Sequence, residues 1–264
     1  SQMNNVFRYI THKNSYSTDL PLPDIIHAAE ALKGNPTEAN AVALIKSANL
    51  PREAIPTELL GSVKVWEALL YKMKTTALVR NLNKMTSIGL LKPLSDHTAY
   101  VVNKLSSAES MQKDRIHPIK LLFAQKVYAK GVGDKGSLTW SPISAITDAL
   151  ETAFYNSFNH GKPTGKKLML ALDISGSMGS SYVGNRLVTC REASFAMAMV
   201  TAKSEPQFYA VAFDSTTKQV IGGLSSRENG VRDIDLRRAT RLSDYDSVCG
   251  KWVGGATDCA LPML

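Results

Sequence analysis

The run Leu168-Met-Leu-Ala-Leu172, followed at once by Asp173, restricts the fold of this 264-residue chain more than any other feature. Five consecutive apolar residues ending in a carboxylate have the form of a buried parallel strand that delivers a polar group at its carboxyl end. Open α/β sheets bind their ligands at that end. The following residues, Ile174-Ser-Gly-Ser-Met-Gly179, complete an Asp-x-Ser-x-Ser pattern. One carboxylate and two hydroxyls at alternate loop positions are hard oxygen ligands that can converge on a small divalent cation, with water completing an octahedron. A helix is predicted over about Asn185 to Lys203, then a second strand, Gln207 to Phe213, running into Asp214. A third strand, about Lys218 to Ile221, is expected to pair antiparallel as an edge hairpin. The first strand should lie centrally, with cover on both faces. Only three strands are legible from Leu168 to Leu264, against about five or six in a doubly wound sheet.

The residues before this strand keep a helical period. Apolar Ile25, Ile26, Ala29 and Leu32 mark a helix from Asp24 to Lys33 that stops at Gly34. Further helices are predicted over Thr37 to Ala48, Val63 to Met73 and Thr76 to Ser87, the last closed by Gly89. His117-Pro118 opens another that runs to Gly131, because proline at the first helical position loses no needed hydrogen bond. Ser141-Pro142 starts one more, which keeps its apolar stripe as far as Asn159. Short amphipathic helices joined by brief loops suggest stacked antiparallel pairs, an α-solenoid of HEAT type, although no sequence repeat establishes it. Gly161-Lys-Pro-Thr-Gly-Lys166 has the composition of a linker, so the expected organisation is a helical module over 1–160, a connector over 161–166 and an α/β module over 167–264.

Charge follows this division. Lys and Arg exceed Asp and Glu by 7 through Lys166 and by only 1 thereafter, giving the net +8. A polyanion such as nucleic acid is therefore attracted to the first part, if to either. Arg80 and Lys84 sit four residues apart and project from one helical face. Arg115, His117, Lys120 and Lys126 form a second basic group around a helix start, whose free N–H groups favour phosphate. The competing reading of both groups is a solvated face, with His117 as a helix cap. Cys190, Cys249 and Cys259 are an odd number without a CxxC pair, which points to neither a disulfide framework nor a zinc site and fits a reducing cytosol. No stretch reaches the roughly 18 apolar residues of a membrane span, and the first residues lack a signal peptide's apolar region.

Enzyme readings of the loop fail on its residues. A phosphotransferase of the haloacid dehalogenase type needs a second carboxylate where Ser175 stands, and a serine hydrolase needs Gly-x-Ser-x-Gly. The segment Gly161 to Lys166 is one residue short of a P-loop and precedes the strand instead of following it. Asp173 as a simple helix N-cap remains the structural alternative to a metal ligand.

The strand with its Asp-x-Ser-x-Ser loop resembles the metal-ion-dependent adhesion site (MIDAS) of von Willebrand factor A domains. Val65-Trp-Glu-Ala-Leu-Leu, Thr76-Ala-Leu-Val-Arg-Asn-Leu-Asn-Lys-Met-Thr86, Arg115-Ile-His-Pro118, Ala153-Phe-Tyr155, Pro163-Thr-Gly-Lys166 and Thr257-Asp-Cys-Ala-Leu-Pro-Met263 look like the Ro autoantigen (SS-A/Ro) family. That resemblance implies a HEAT-like helical TROVE ring followed by a Rossmann-like von Willebrand A-type domain. It also implies a cytoplasmic ribonucleoprotein, not an enzyme, that binds Y-like RNAs on the ring's outer surface and holds the ends of misfolded noncoding RNAs. Asp173, Ser175 and Ser177 match the family's first metal loop and Thr257 the threonine of the second, with Mg2+ the implied cation. The chain departs from the pattern at Ala256, between the glycine pair and Thr257, and reaches Leu264 before the strand that should carry the third-loop aspartate. The comparison therefore predicts a C-terminally truncated A-type domain, a TROVE ring lacking its first helices, and weak metal occupancy. The alternative function is a protein-interaction module in which a partner's carboxylate completes the metal sphere and the helices serve as support.

Overall fold

The computed structural model describes residues 2–11, 22–133, 137–160, 163–184, 186–214, 230–250 and 257–263. The chain forms two compact units, 1–97 and 98–264.

The first unit is helical: α1 (Gln2–Thr11), α2 (Asp24–Gly34), α3 (Glu38–Ala48), α4 (Val63–Leu70) and α5 (Thr75–Ser87). Two of these helices begin at a side-chain cap. Thr37 accepts the N–H of Asn40 at 3.3 Å to start α3, and Ser62 accepts that of Val65 at 3.3 Å to start α4. Glu38 joins these two starts, because it takes the Ser62 hydroxyl at 2.6 Å and the Lys64 ammonium at 3.0 Å. The apolar stripes then meet: Ala28 and Leu32 of α2, Ala41 and Ile45 of α3, and Val65, Trp66 and Leu69 of α4 are all buried. Trp66 is fully enclosed and donates its indole N–H to the Leu60 carbonyl at 2.9 Å, which removes the cost of burying that donor. On α5 the buried face is Leu78, Val79, Leu82 and Met85.

The second unit opens within α6 (Asp96–Ser106) and continues through α7 (Ala108–Asp114), α8 (Pro118–Lys130) and α9 (Ser144–Asn156). As the sequence suggests, Pro118 occupies the first turn of α8 and the His117 Nδ1 accepts the Ile119 N–H at 3.2 Å. Gly131 ends α8 at φ +73°, where an added Cβ would meet the Trp140 carbonyl at 2.9 Å. Only glycine suits both that conformation and that approach. Trp140 returns its indole N–H to the Tyr128 carbonyl at 2.9 Å and stacks on that ring.

After the turn Ser157–His160 come β1 (Leu168–Asp173), α10 (Gly176–Ser180), β2 (Tyr182–Val183), β3 (Val188–Thr189), α11 (Cys190–Ser204), β4 (Phe208–Phe213), β5 (Val231–Asp233) and α12 (Tyr245–Cys249). β1 pairs parallel with β4 from Leu168↔Phe208 to Asp173↔Phe213, and β4 pairs antiparallel with β5. The crossover helix α11 buries Phe195, Ala196, Ala198 and Met199. β2 and β3 form a separate antiparallel pair.

Three expectations change. The helix predicted from Asn185 starts at Cys190, because Val188 and Thr189 pair as a strand and Thr189 with Glu192 makes a capping box. The helix predicted from Ser141-Pro142 starts at Ser144, since Trp140 N–H is held by the Gly131 carbonyl at 3.0 Å and keeps the chain extended. Its last turn, Ser157–His160, tightens to a 3-10 helix. Third, β4 lies in the middle of the three described strands and β1 at the side, with Met169 52% exposed and Ala171 exposed rather than covered on both faces. The proposed strand at Lys218 to Ile221 and linker residues 161 and 162 lie outside the described residues, among which the antiparallel partner of β4 is Val231–Asp233.

Glu192 joins the helical and sheet parts of this unit. It accepts the Thr189 N–H at 2.9 Å and the Lys126 ammonium of α8 at 3.0 Å. Burial opposes its ionisation, but the bonds from Thr189 and Lys126 outweigh burial and hold the carboxyl below its usual range. A carboxyl lowered in the folded state stabilises above its unfolded pKa, and the contribution is lost as pH falls through the lowered value. Glu192→Gln should therefore cost about 1 kcal/mol at neutral pH, allowing for a half-exposed pair. The difference from the unsubstituted chain should shrink in urea unfolding below pH 4; a constant difference across pH would deny Glu192 this role.

Candidate metal loop and basic faces

The parallel ladder places the loop. Beyond Asp173 the Ile174 N–H still reaches the Phe213 carbonyl at 2.9 Å, so the loop leaves the sheet at a fixed angle. Asp173 then turns back, one carboxylate oxygen accepting the Ser175 N–H at 2.8 Å. This is a local Asx bond. It leaves the second carboxylate oxygen outside that bond. Ser175 is buried at 1% exposure, and its hydroxyl lies 3.2 Å from that of Ser177. Two hydroxyl oxygens and a carboxylate thus share one loop, and α10 follows with Met178 N–H on the Ser175 carbonyl. Asp214, one residue past the end of β4, is buried at 8% exposure and follows the register partner of Asp173. It is a second acid at the same sheet end, and the strand-then-Asp pattern at Phe213-Asp214 was its signal in the sequence.

Thr257 is exposed in the C-terminal segment ahead of the turn Leu261–Met263, and no hydrogen bond among the described residues joins it to Asp173, Ser175 or Ser177. Gly254 to Ala256 lie outside the described residues. Among the described residues no three His, Cys, Asp or Glu side chains gather as a metal site. A cation at this loop would depend on one carboxylate, hydroxyls and water, a donor set that suits Mg2+ and holds it weakly. Arg191 borders the loop: a Cβ on Gly179 would meet its guanidinium at 2.7 Å, and the same guanidinium lies 5.2 Å from the centre of the Tyr245 ring.

The basic residues fall in both units. Arg80 is exposed and Lys84 half-buried on α5, in the first unit. Arg115, His117 and Lys120 are exposed around the start of α8, where Arg115 takes φ 46° as the left-handed cap of α7. Lys126 stands apart from them, half-buried and paired with Glu192. Of the aromatic residues near these groups, Trp66 and Tyr128 are core, whereas Tyr71 is 49% exposed and tilts against His97 at 6.2 Å.

Asp173→Ala should release the Ser175 N–H without unfolding the sheet, since the β1–β4 ladder is made by backbone groups. Amide hydrogen exchange at Ser175 should quicken at least tenfold while that of Leu170 and Ala212 is unchanged; equal protection in both proteins would assign the turn to the backbone alone.

Comparison with known proteins gives this architecture its relatives. A TROVE domain family model matches residues 46–127, and a Ro60 vWA domain model matches 167–264. The RNA-binding protein RO60 of Caenorhabditis elegans is 39% identical over 91% of this chain, and that of Deinococcus radiodurans is 33% identical over 86%. The chain spans 35% and 40% of the length of these two proteins. The crystal structure of the Deinococcus radiodurans RO (RSR) protein superimposes with a TM-score of 0.79 at 29% identity, covering 99% of this chain and 50% of that one. Helices of TROVE type lead into an α/β domain of von Willebrand A type, in the order and spacing of these relatives, and the chain belongs to the Ro family.

Proposed function

We propose that this chain binds RNA through its helical part. The observation that carries the reading is that two relatives named as RNA-binding proteins match it over nine-tenths of its length or nearly so, while its own positive charge is concentrated ahead of the sheet. The RNAs are Y-like or misfolded small noncoding RNAs, held by phosphate contacts that are largely independent of sequence. Arg80 and Lys84 of α5 supply one set of contacts, and Arg115, His117 and Lys120 at the α8 start supply another, with Lys126 further along the same helix. The A-type domain adds a weak Mg2+ site of the adhesion type at Asp173, Ser175 and Ser177, with Thr257 as the fourth donor. Bound there, the ion supplies a positive point charge that a partner's carboxylate completes. No helix among the described residues is long and apolar enough to cross a membrane, and the site of action is the cytoplasm.

Replacing Arg80 and Lys84 together by Ala should weaken RNA binding and shallow its dependence on log salt by up to about two phosphate contacts. Fluorescence anisotropy at several salt concentrations measures this, and an unchanged slope and affinity would place both side chains on a merely solvated face.

Asp173, Ser175, Ser177 and Thr257 offer one charge and three neutral oxygens, so calorimetry with Mg2+ should give a dissociation constant in roughly the millimolar range. Asp173→Asn should abolish the heat of binding. Tight binding that survives this substitution would locate the ion elsewhere. Chelation should leave RNA affinity unchanged, because the phosphate contacts respond to salt and a metal-bridged protein contact responds to chelator. RNA binding lost on chelation would make the ion, and not the basic helical faces, the principal RNA contact.

A further inference from the structure

A cavity of about 190 Å3 opens in the second unit between α8, α9 and the turn Leu242–Asp244. Its walls differ in chemistry. Leu242 gives it an apolar side, above the buried Leu122 and Phe154, Glu151 gives it one carboxylate, and Lys126 and Arg241 give it two cations. Gln125 and Ser243 add uncharged hydrogen-bonding groups. The Tyr155 hydroxyl braces the walls, since it accepts the Leu242 N–H at 3.1 Å and lies 3.4 Å from a Glu151 oxygen. Burial, and secondarily the neighbouring Glu151, push the Tyr155 phenol up, so the hydroxyl stays neutral and keeps its proton for that carboxylate.

Ligand classes can be separated by what each would leave unpaired. An apolar molecule would make no use of Glu151, Lys126 or Arg241, which keep their present partners or water. A bare phosphate would suit the cations but face Glu151 and ignore the apolar side. A flat ring bearing N–H donors on one edge and a phosphate at its other end meets every wall at once. The cavity is smaller than the roughly 300 Å3 at which drug-sized pockets begin, so it takes one base and not two. That base must be unpaired, since a duplex buries its Watson–Crick edge and its faces.

We infer that this cavity seats a single unpaired nucleotide of a bound RNA, with guanine preferred; the inference rests on the RNA-binding reading and gives it a base-reading site. The base lies against Leu242, which caps the buried Leu122 and Phe154. Guanine alone among the four bases presents two adjacent N–H donors on its Watson–Crick edge, and a carboxylate accepts both. Glu151 is that carboxylate. The Lys126 ammonium has three donors and spends one on Glu192, which leaves it able to meet a phosphate. Arg241 meets the same phosphate with a guanidinium of five donors.

The test uses the full chain and 5′-labelled heptamers: seven uridines, or six uridines around a central guanosine or adenosine. Fluorescence anisotropy should give the guanosine heptamer about tenfold tighter binding than the all-uridine one. Glu151→Gln should bring the two within about twofold of each other, because an amide accepts through one oxygen only. Leu242→Trp, which fills the cavity, should likewise remove the preference, and a thermal melt monitors its folding. The Arg80 and Lys84 double replacement should lower affinity for all heptamers and preserve their ratio. Heptamers that bind equally to the unsubstituted chain, or a guanosine preference that survives Glu151→Gln, would overturn the cavity's role and leave RNA binding standing. Failure of every heptamer and of duplex RNA to bind at low salt would overturn both readings.

Discussion

The second unit depends on one carboxylate. Glu192 completes the capping box that starts α11 and also receives Lys126 from α8. Without the box, the free N–H groups of the first turn would have to find water, and the helix start could slide along a stretch that is helical by period. Because it cannot slide, Val188 and Thr189 are released to pair with Tyr182 and Val183. The short ribbon that results is closed at its turn by Gly184, where an added Cβ would meet the Phe123 ring of α8 at 3.4 Å. A helix of the TROVE type is in this way fitted to the α/β part at two points on one face, Phe123 and Lys126. Both residues belong with the sheet to the one compact unit 98–264.

The sequence displayed those features that depend on neighbours close along the chain. Thr37, Ser62 and Pro118 are local start signals, and α3, α4 and α8 begin where those residues say. The Leu168 to Asp173 strand is equally local, and so is the Asx bond from Asp173 to the Ser175 N–H, which the sequence reading did not include. What escaped detection depends on distance. α6 buries Thr98, Val101 and Leu105, so a hydroxyl takes a place in its inner stripe and blurs the apolar period. β5 has only three residues, half-exposed or exposed, and exists because β4 has an edge to pair with. The late start of α9 is set by Trp140 on Gly131, a bond between two ends of a loop that no window of periodicity contains.

The loop after β1 shows the same division. Asp173, Ser175 and Ser177 are neighbours along the chain and come together through their own backbone turn. Thr257 is eighty residues further on and could be matched only by resemblance. Asp214 was visible as the end of a strand, but its place at the same sheet end as Asp173 follows from the parallel register, which the sequence leaves open.

The segment 230–250 is the least satisfied part of the described structure. Arg232 buries its Nε and Nη2, and Tyr245 its hydroxyl, with no hydrogen-bond partner. Burial pushes the Cys249 thiol up to about 12, so it stays neutral beside Arg232 and offers the guanidinium no countercharge. Burial raises the Tyr245 phenol as well. Unpaired buried donors of this kind cost about 1–3 kcal/mol each. The stabilising interactions that offset them lie nearby: Leu236 and Ala239 are fully enclosed, and Asp244 accepts both the Thr240 and Arg241 N–H groups at 2.8 and 2.9 Å. These last bonds fix the turn that carries Arg241 and Leu242 into the cavity. The turn is held by the Asp244 carboxylate, while the strand and helix on either side carry the unpaired groups. The side chains that face the cavity therefore keep their position even where the surrounding segment is weakly held.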